Sequence, residues 1–161
     1  MCRYGARKLS TIKPQLDEAD VRMAAVGLEK LGVEEFISRG YFTGDLYVDE
    51  QKKCYQDLGY KRFNYINIFA ALLSKISRAI ISKSREENIP GNLQGDGLQN
   101  GGLLIVTKGG SEVLLSHKEE VPGDHVANSE ILKVLGIDGS SGTRGSFLNK
   151  PGDQCEKECN I

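Results

Sequence analysis

Apolar positions recur every three or four residues at Ala6, Leu9, Ile12 and Leu16, with Arg7, Lys8 and Lys13 between them, so the spacing predicts an amphipathic helix over 2–17. Pro14 lies inside that pattern and removes one backbone donor, which predicts a bend there without ending the helix. Val21 to Leu28 is short, almost continuously apolar and bounded by polar residues and glycine, the pattern of a parallel strand covered on both faces. Leu31 to Ser38 reads as a short helix stopped by Gly40, and Asp45 to Asp49 as a brief strand. The Asp49 carboxylate then caps a helix by accepting from the amides of Glu50 to Lys52, with Gly59 at its left-handed C-terminal position. A longer helix is expected over 67–87, burying one face made of Ile68, Phe69, Leu72, Leu73, Ile76, Ala79 and Ile80.

Residues 89–102 are rich in Pro, Gly and Asn and follow no regular period, which predicts a long ordered loop or lid. Leu103 to Thr107 and Glu112 to His117 form a hairpin across Lys108, Gly109 and Gly110, and Ser129 to Leu135 a last helix stopped by Gly136. The order is α, β, α, β, α, α, β-hairpin, α: an α/β protein with a parallel start and an antiparallel finish. The domain is expected to occupy 1–137, followed by a flexible tail over 138–161 whose sizeable apolar side chains are Phe147, Leu148 and Ile161.

Composition narrows the classes. The longest apolar stretch, Ile66 to Leu73, falls far short of the roughly 20 residues of a membrane span. With 21 basic and 22 acidic side chains the chain lacks the basic excess of a nucleic-acid binder. The N-terminus has no apolar segment of the secretory kind, so the expected address is cytosolic. Four cysteines (Cys2, Cys54, Cys155, Cys159) in a chain able to build its own core favour free or redox-active thiols over a disulfide scaffold.

Cys2 opens the first predicted helix, where unbonded amides and the helix dipole favour a thiolate and Arg3 and Arg7 add positive charge. The competing reading is an incidental terminal cysteine on a frayed helix. Cys54 reads as a small buried side chain, and Cys155 and Cys159 as solvated bystanders or a delivered resolving thiol. Between Leu58 and Arg85 stand Lys61, Arg62, Lys75, Arg78, Lys83 and Arg85 with no Asp or Glu. That field is either a solvated basic face or an attractor for a fatty-acid carboxylate. Contact with anionic membrane is disfavoured at this point, because the apolar face is needed for the core. The loop around Gly91 to Gly102 lacks the phosphate-cradle pattern, and His117 and His125 have no partners at metal-ligand spacing and read as surface histidines. No residue is assigned to substrate binding, and no metal is expected.

Several irregular segments agree together with one family. Cys2-Arg3 precedes an amphipathic helix. Gly-Val-Glu-Glu-Phe follows at 32–36, Gly-Tyr-Phe-Thr-Gly-Asp-Leu-Tyr-Val-Asp-Glu at 40–50 and Leu-Gly-Tyr-Lys-Arg-Phe-Asn at 58–64. Gly-Asn-Leu-Gln-Gly-Asp at 91–96, Leu-Gln-Asn-Gly-Gly-Leu-Leu-Ile-Val at 98–106, Lys-Gly-Gly at 108–110 and Pro-Gly-Asp at 122–124 complete the series. From residue 2 to about 137 the chain resembles the peroxiredoxin-like prostamide/prostaglandin F synthases.

The resemblance implies a thioredoxin-like fold, three-layer α/β/α with a mixed sheet, here lacking the first strand before the redox-motif helix. It implies a cytosolic enzyme that reduces the endoperoxide of prostaglandin H, or of its ethanolamide, to the F-type product. Electrons would come from NADPH through thioredoxin, with no tightly bound cofactor. Cys2 matches the second cysteine of the family's Cys-x-x-Cys motif; the first would lie two positions before Met1, so the chain reads as an N-terminally short form. Endoperoxide reduction takes two electrons, one thiol attacking oxygen and a second resolving the adduct. The alternatives are a catalytically impaired binding form of the family and a peroxiredoxin-like antioxidant acting on other peroxides.

Overall fold

The computed structural model of the chain describes residues 2–90 and 96–137. The N-terminal amphipathic stretch folds as two helices, α1 (Cys2–Ser10) and α2 (Lys13–Glu18). Pro14 therefore does more than bend one helix. It sits in the first turn of α2, where its missing N–H costs nothing, and the chain turns through Thr11 and Ile12 before it. Ser10 seals the break: its hydroxyl donates to the Ala6 carbonyl at 2.9 Å and accepts from the Thr43 amide at 3.1 Å.

The first strand, β1 (Ala24–Gly27), runs parallel to β2 (Asp45–Val48), with α3 (Val33–Ser38) in the crossover and Gly40 left-handed beyond it, as expected. The expectation of a strand covered on both faces is corrected: Ala24 and Val26 are exposed, Val26 by 39%. Met23 and Gly27 offer their carbonyls to the Asp45 and Asp49 amides on the β2 side. Alternation then turns Ala24 and Val26 to the other edge, where the Tyr55 hydroxyl takes the Val26 carbonyl at 2.5 Å. Tyr55 belongs to α4 (Lys53–Asp57), which ends before left-handed Gly59. Asp49 does cap this helix, but the amide it accepts is that of Cys54, at 2.7 Å, because Lys52 itself turns left-handed at φ 58°.

The long helix expected over 67–87 is two helices, α5 (Tyr65–Leu72) and α6 (Lys75–Glu86). Each has its own cap: the Asn64 side chain accepts from the Asn67 amide and Ser74 from Ser77. The break at Leu73 and Ser74 dismantles the single apolar face. Ala71 and Ser77 are buried, whereas Phe69, Leu73 and Ile76 are exposed by 69%, 61% and 47%. Ser77, fully buried, ties the pair to the chain beyond the hairpin by donating to the Pro122 carbonyl at 2.7 Å.

The hairpin forms as expected from β3 (Gly102–Val106) and β4 (Val113–Lys118), antiparallel, with a register shift at Ile105/Val106. The last helix, α7 (Asn128–Val134), stops before left-handed Gly136. Among the described residues the parallel and antiparallel pairs are separate two-stranded sheets. Both lean on one core. Ile12, Leu16, Met23 and Ile131 form its centre, with Leu103 and Ile105 of β3 packed against it. A second, smaller cluster of Tyr4, Tyr41 and Ile89 anchors the start of α1. The tail expected over 138–161 lies outside the described residues.

Candidate active site

Cys2 is the first residue of α1, and no acidic residue stands in that helix's first turn. Amide hydrogens at such a position have no acceptor within the helix, and the positive end of the dipole lowers the energy of an anion there. The Cys2 side chain lies outside the described part of the structure. The turn that carries it is held on three sides. Tyr4 is buried against Tyr41 and Ile89. The Arg3 guanidinium makes a two-pronged pair with Glu35 of α3, at 2.8 and 3.2 Å, and lies 5.3 Å above the Tyr41 ring.

This corrects one expectation. The charge of Arg3 is committed to Glu35, whose carboxyl is held below its usual range chiefly by hydrogen bonding to Arg3; it is not free to support a thiolate at Cys2. Arg7 is exposed and has no ion pair among the described residues.

The third side is an imidazole that spacing did not disclose. Gly5 lies flat against His125, so close that a Cβ at Gly5 would fall 2.6 Å from Nε2. Nδ1 of His125 pairs with Glu119 Oε1 at 2.8 Å, and Nε2 is buried with no hydrogen-bond partner. His117 places Nε2 2.7 Å from the Asp124 carbonyl oxygen. Both rings are more than two-thirds covered, so neither is the surface histidine expected from sequence. Gly5 and Cys2 are one helical turn apart on the same face, which sets His125 beside the turn that Cys2 opens.

Cys54 is exposed, not buried as expected. Partial desolvation of its sulfur, with Asp49 and Asp57 nearby, pushes its thiol up. Cys155 and Cys159 lie outside the described residues.

The basic segment divides in two. Lys61 pairs with Glu120, and Arg62 joins Lys52 on Asp96. Lys75, Arg78, Lys83 and Arg85 make no ion pair among the described residues. Lys52 and Arg62 line an open cleft of about 360 Å³ with Tyr55, Gln56, Tyr60 and Gln99. The Asp96 amide donates to Glu29 beyond β1, so this carboxylate knots the loop before β3 to the parallel pair.

Hydrogen bonds from Arg62 and then Lys52 hold Asp96 at about 2. A carboxyl depressed in the folded state stabilises it above the unfolded value and loses that contribution as pH falls through the folded one. After discounting for the exposure of Lys52 and Arg62, the knot contributes about 1–2 kcal/mol above pH ~4, fading towards pH ~2. Urea midpoints should therefore drop over that interval in the parent chain and drop less in Asp96→Asn, which starts lower.

Residues 8–121 match the family of AhpC/TSA antioxidant enzymes, whose domain is thioredoxin-like. The chain is 47% identical to the prostamide/prostaglandin F synthase of Bos taurus over 142 residues, 88% of this chain and 71% of that one. It is 47% identical to that of Homo sapiens over 85% of this chain and 69% of the relative, and 44% identical to that of Sus scrofa over 98% and 76%. No solved structure matches the chain. The family match runs from the end of α1 through the hairpin, and so the chain belongs to the AhpC/TSA antioxidant enzyme family and, within it, to the prostamide/prostaglandin F synthases, a group of thiol oxidoreductases.

Proposed function

We propose that the chain reduces a lipid endoperoxide, of the prostaglandin H type or its ethanolamide, with Cys2 as the attacking thiol and NADPH-reduced thioredoxin as the electron donor. The supporting observation is the place of Cys2 as the first residue of α1, with no carboxylate in that turn. In the first step the Cys2 thiolate attacks one peroxide oxygen. The O–O bond breaks, the other oxygen leaves as an alkoxide and takes a proton, and sulfur stays bonded to the first oxygen. A second thiol then attacks that sulfur, releasing the second alcohol and leaving a disulfide; the two electrons gained by the O–O bond are those lost by the two thiols. In the proposed cycle thioredoxin supplies this second thiol. Its remaining thiol frees Cys2, and NADPH restores thioredoxin through its reductase.

NADPH oxidation with thioredoxin, thioredoxin reductase and endoperoxide measures the cycle. Cys2→Ser should reduce the rate to background, and Cys54→Ser should leave it within about two-fold of the parent. Turnover that survives Cys2→Ser removes Cys2 from the mechanism, and an inactive parent chain favours the binding form of the family. Product analysis against simple hydroperoxides separates a synthase from a general antioxidant.

A further inference from the structure

The break between α5 and α6 leaves an apolar stripe outside the core. Tyr65, Phe69 and Leu73 follow one another at four-residue intervals along α5, and Ile76 stands at the start of α6 beyond the break; they are exposed by 82%, 69%, 61% and 47%. A soluble surface scatters such side chains singly, and three in a row along one helix mark a contact site. Charge says with what. Lys75 and Arg78 are exposed in the first half of the adjoining helix, without an ion pair among the described residues, and the first acidic residues after Leu58 are Glu86 and Glu87 at that helix's far end. Apolar side chains beside uncompensated cations fit an apolar layer beneath an anionic rim, which is the make-up of a phospholipid surface with negative headgroups. The objection raised from sequence, that the apolar face is used by the core, does not hold for these four side chains.

We infer that α5 and the first half of α6 form a peripheral docking face for anionic bilayers, the apolar side chains entering the interface and Lys75 and Arg78 facing the headgroups. No helix among the described residues is long and apolar enough to cross a membrane, so the contact is superficial. The inference goes beyond the thiol chemistry and does not rest on it.

Co-sedimentation of the full chain with vesicles tests it without any turnover. The chain should pellet with phosphatidylcholine vesicles containing about 30% phosphatidylserine, and largely remain in solution with phosphatidylcholine alone or at high salt. Both Phe69→Ser/Leu73→Ser and Lys75→Glu/Arg78→Glu should weaken the partition by about ten-fold or more while circular dichroism is unchanged. If the apolar pair misfolds, the charge pair, wholly on the surface, decides alone. Equal binding to neutral and anionic vesicles, no binding, or variants that bind like the parent would overturn the inference. So would a dimer in sedimentation velocity that Phe69→Ser dissociates, since the stripe would then serve a second copy of the chain.

Discussion

Leu16→Ala should lower the unfolding free energy by about 3 kcal/mol, seen as a fall in the urea midpoint with the slope unchanged. Leu16 is 3% exposed and sits in α2 at the centre of the cluster it shares with Ile12, Met23 and Ile131. That cluster is the common floor of both sheets: Met23 leads into β1, and Leu103 and Ile105 come from β3. Elsewhere a deleted side chain loosens one helix; here the void opens beneath two sheets that share no strand pairing among the described residues. Against a total of about 5–15 kcal/mol for a domain of this size, the loss is a large fraction. A substitution of the exposed Leu31 should change little, because it is 57% exposed.

Gly102→Ala is expected to cost about as much, roughly 3 kcal/mol, by overpacking. A Cβ on Gly102 would run into the His117 carbonyl oxygen and lie 2.7 Å from the Tyr60 ring. The first neighbour is backbone of the paired strand and cannot give without opening the hairpin. The second is an aromatic that meets Tyr55 edge-on at 5.7 Å between centroids, and the Tyr55 hydroxyl in turn holds the Val26 carbonyl on the open side of β1. One methyl group therefore presses on both sheets. Gly101→Ala is the matched control, since a Cβ there meets nothing within 4 Å, and it should stay within about 0.5 kcal/mol of the parent. Thermal melts of the pair read the difference directly.

Local rules carried most of the element order. Gly40, Gly59 and Gly136 end helices in left-handed conformations, and the hairpin follows two apolar runs around Gly109 and Gly110. What escaped was of two kinds. The break at Leu73 and Ser74 had a local cue, because Ser74 is followed three residues later by an amide it can accept, but the apolar period runs on through it and outweighed the cap. The remainder was not local at all. Arg3 and Glu35 are 32 residues apart and His125 meets Gly5 across the whole chain, so the ion pair and the imidazole packed against the start of α1 depend on tertiary packing. Cys54 was misjudged for the same reason: a helix turn near Leu58 looks buried in sequence, yet short α4 leaves it exposed.

The central claim is that the helix-terminal thiol at Cys2 is the reactive one. Alkylation by iodoacetamide, followed cysteine by cysteine in mass spectra across a pH series, tests it most directly. Cys2 should react fastest at neutral pH, with its half-maximal rate well below the ordinary thiol value of about 8.5, while Cys54 should need a more alkaline medium than that. A Cys2 that labels no faster than Cys54, or whose rate rises only in the alkaline range, would contradict the account.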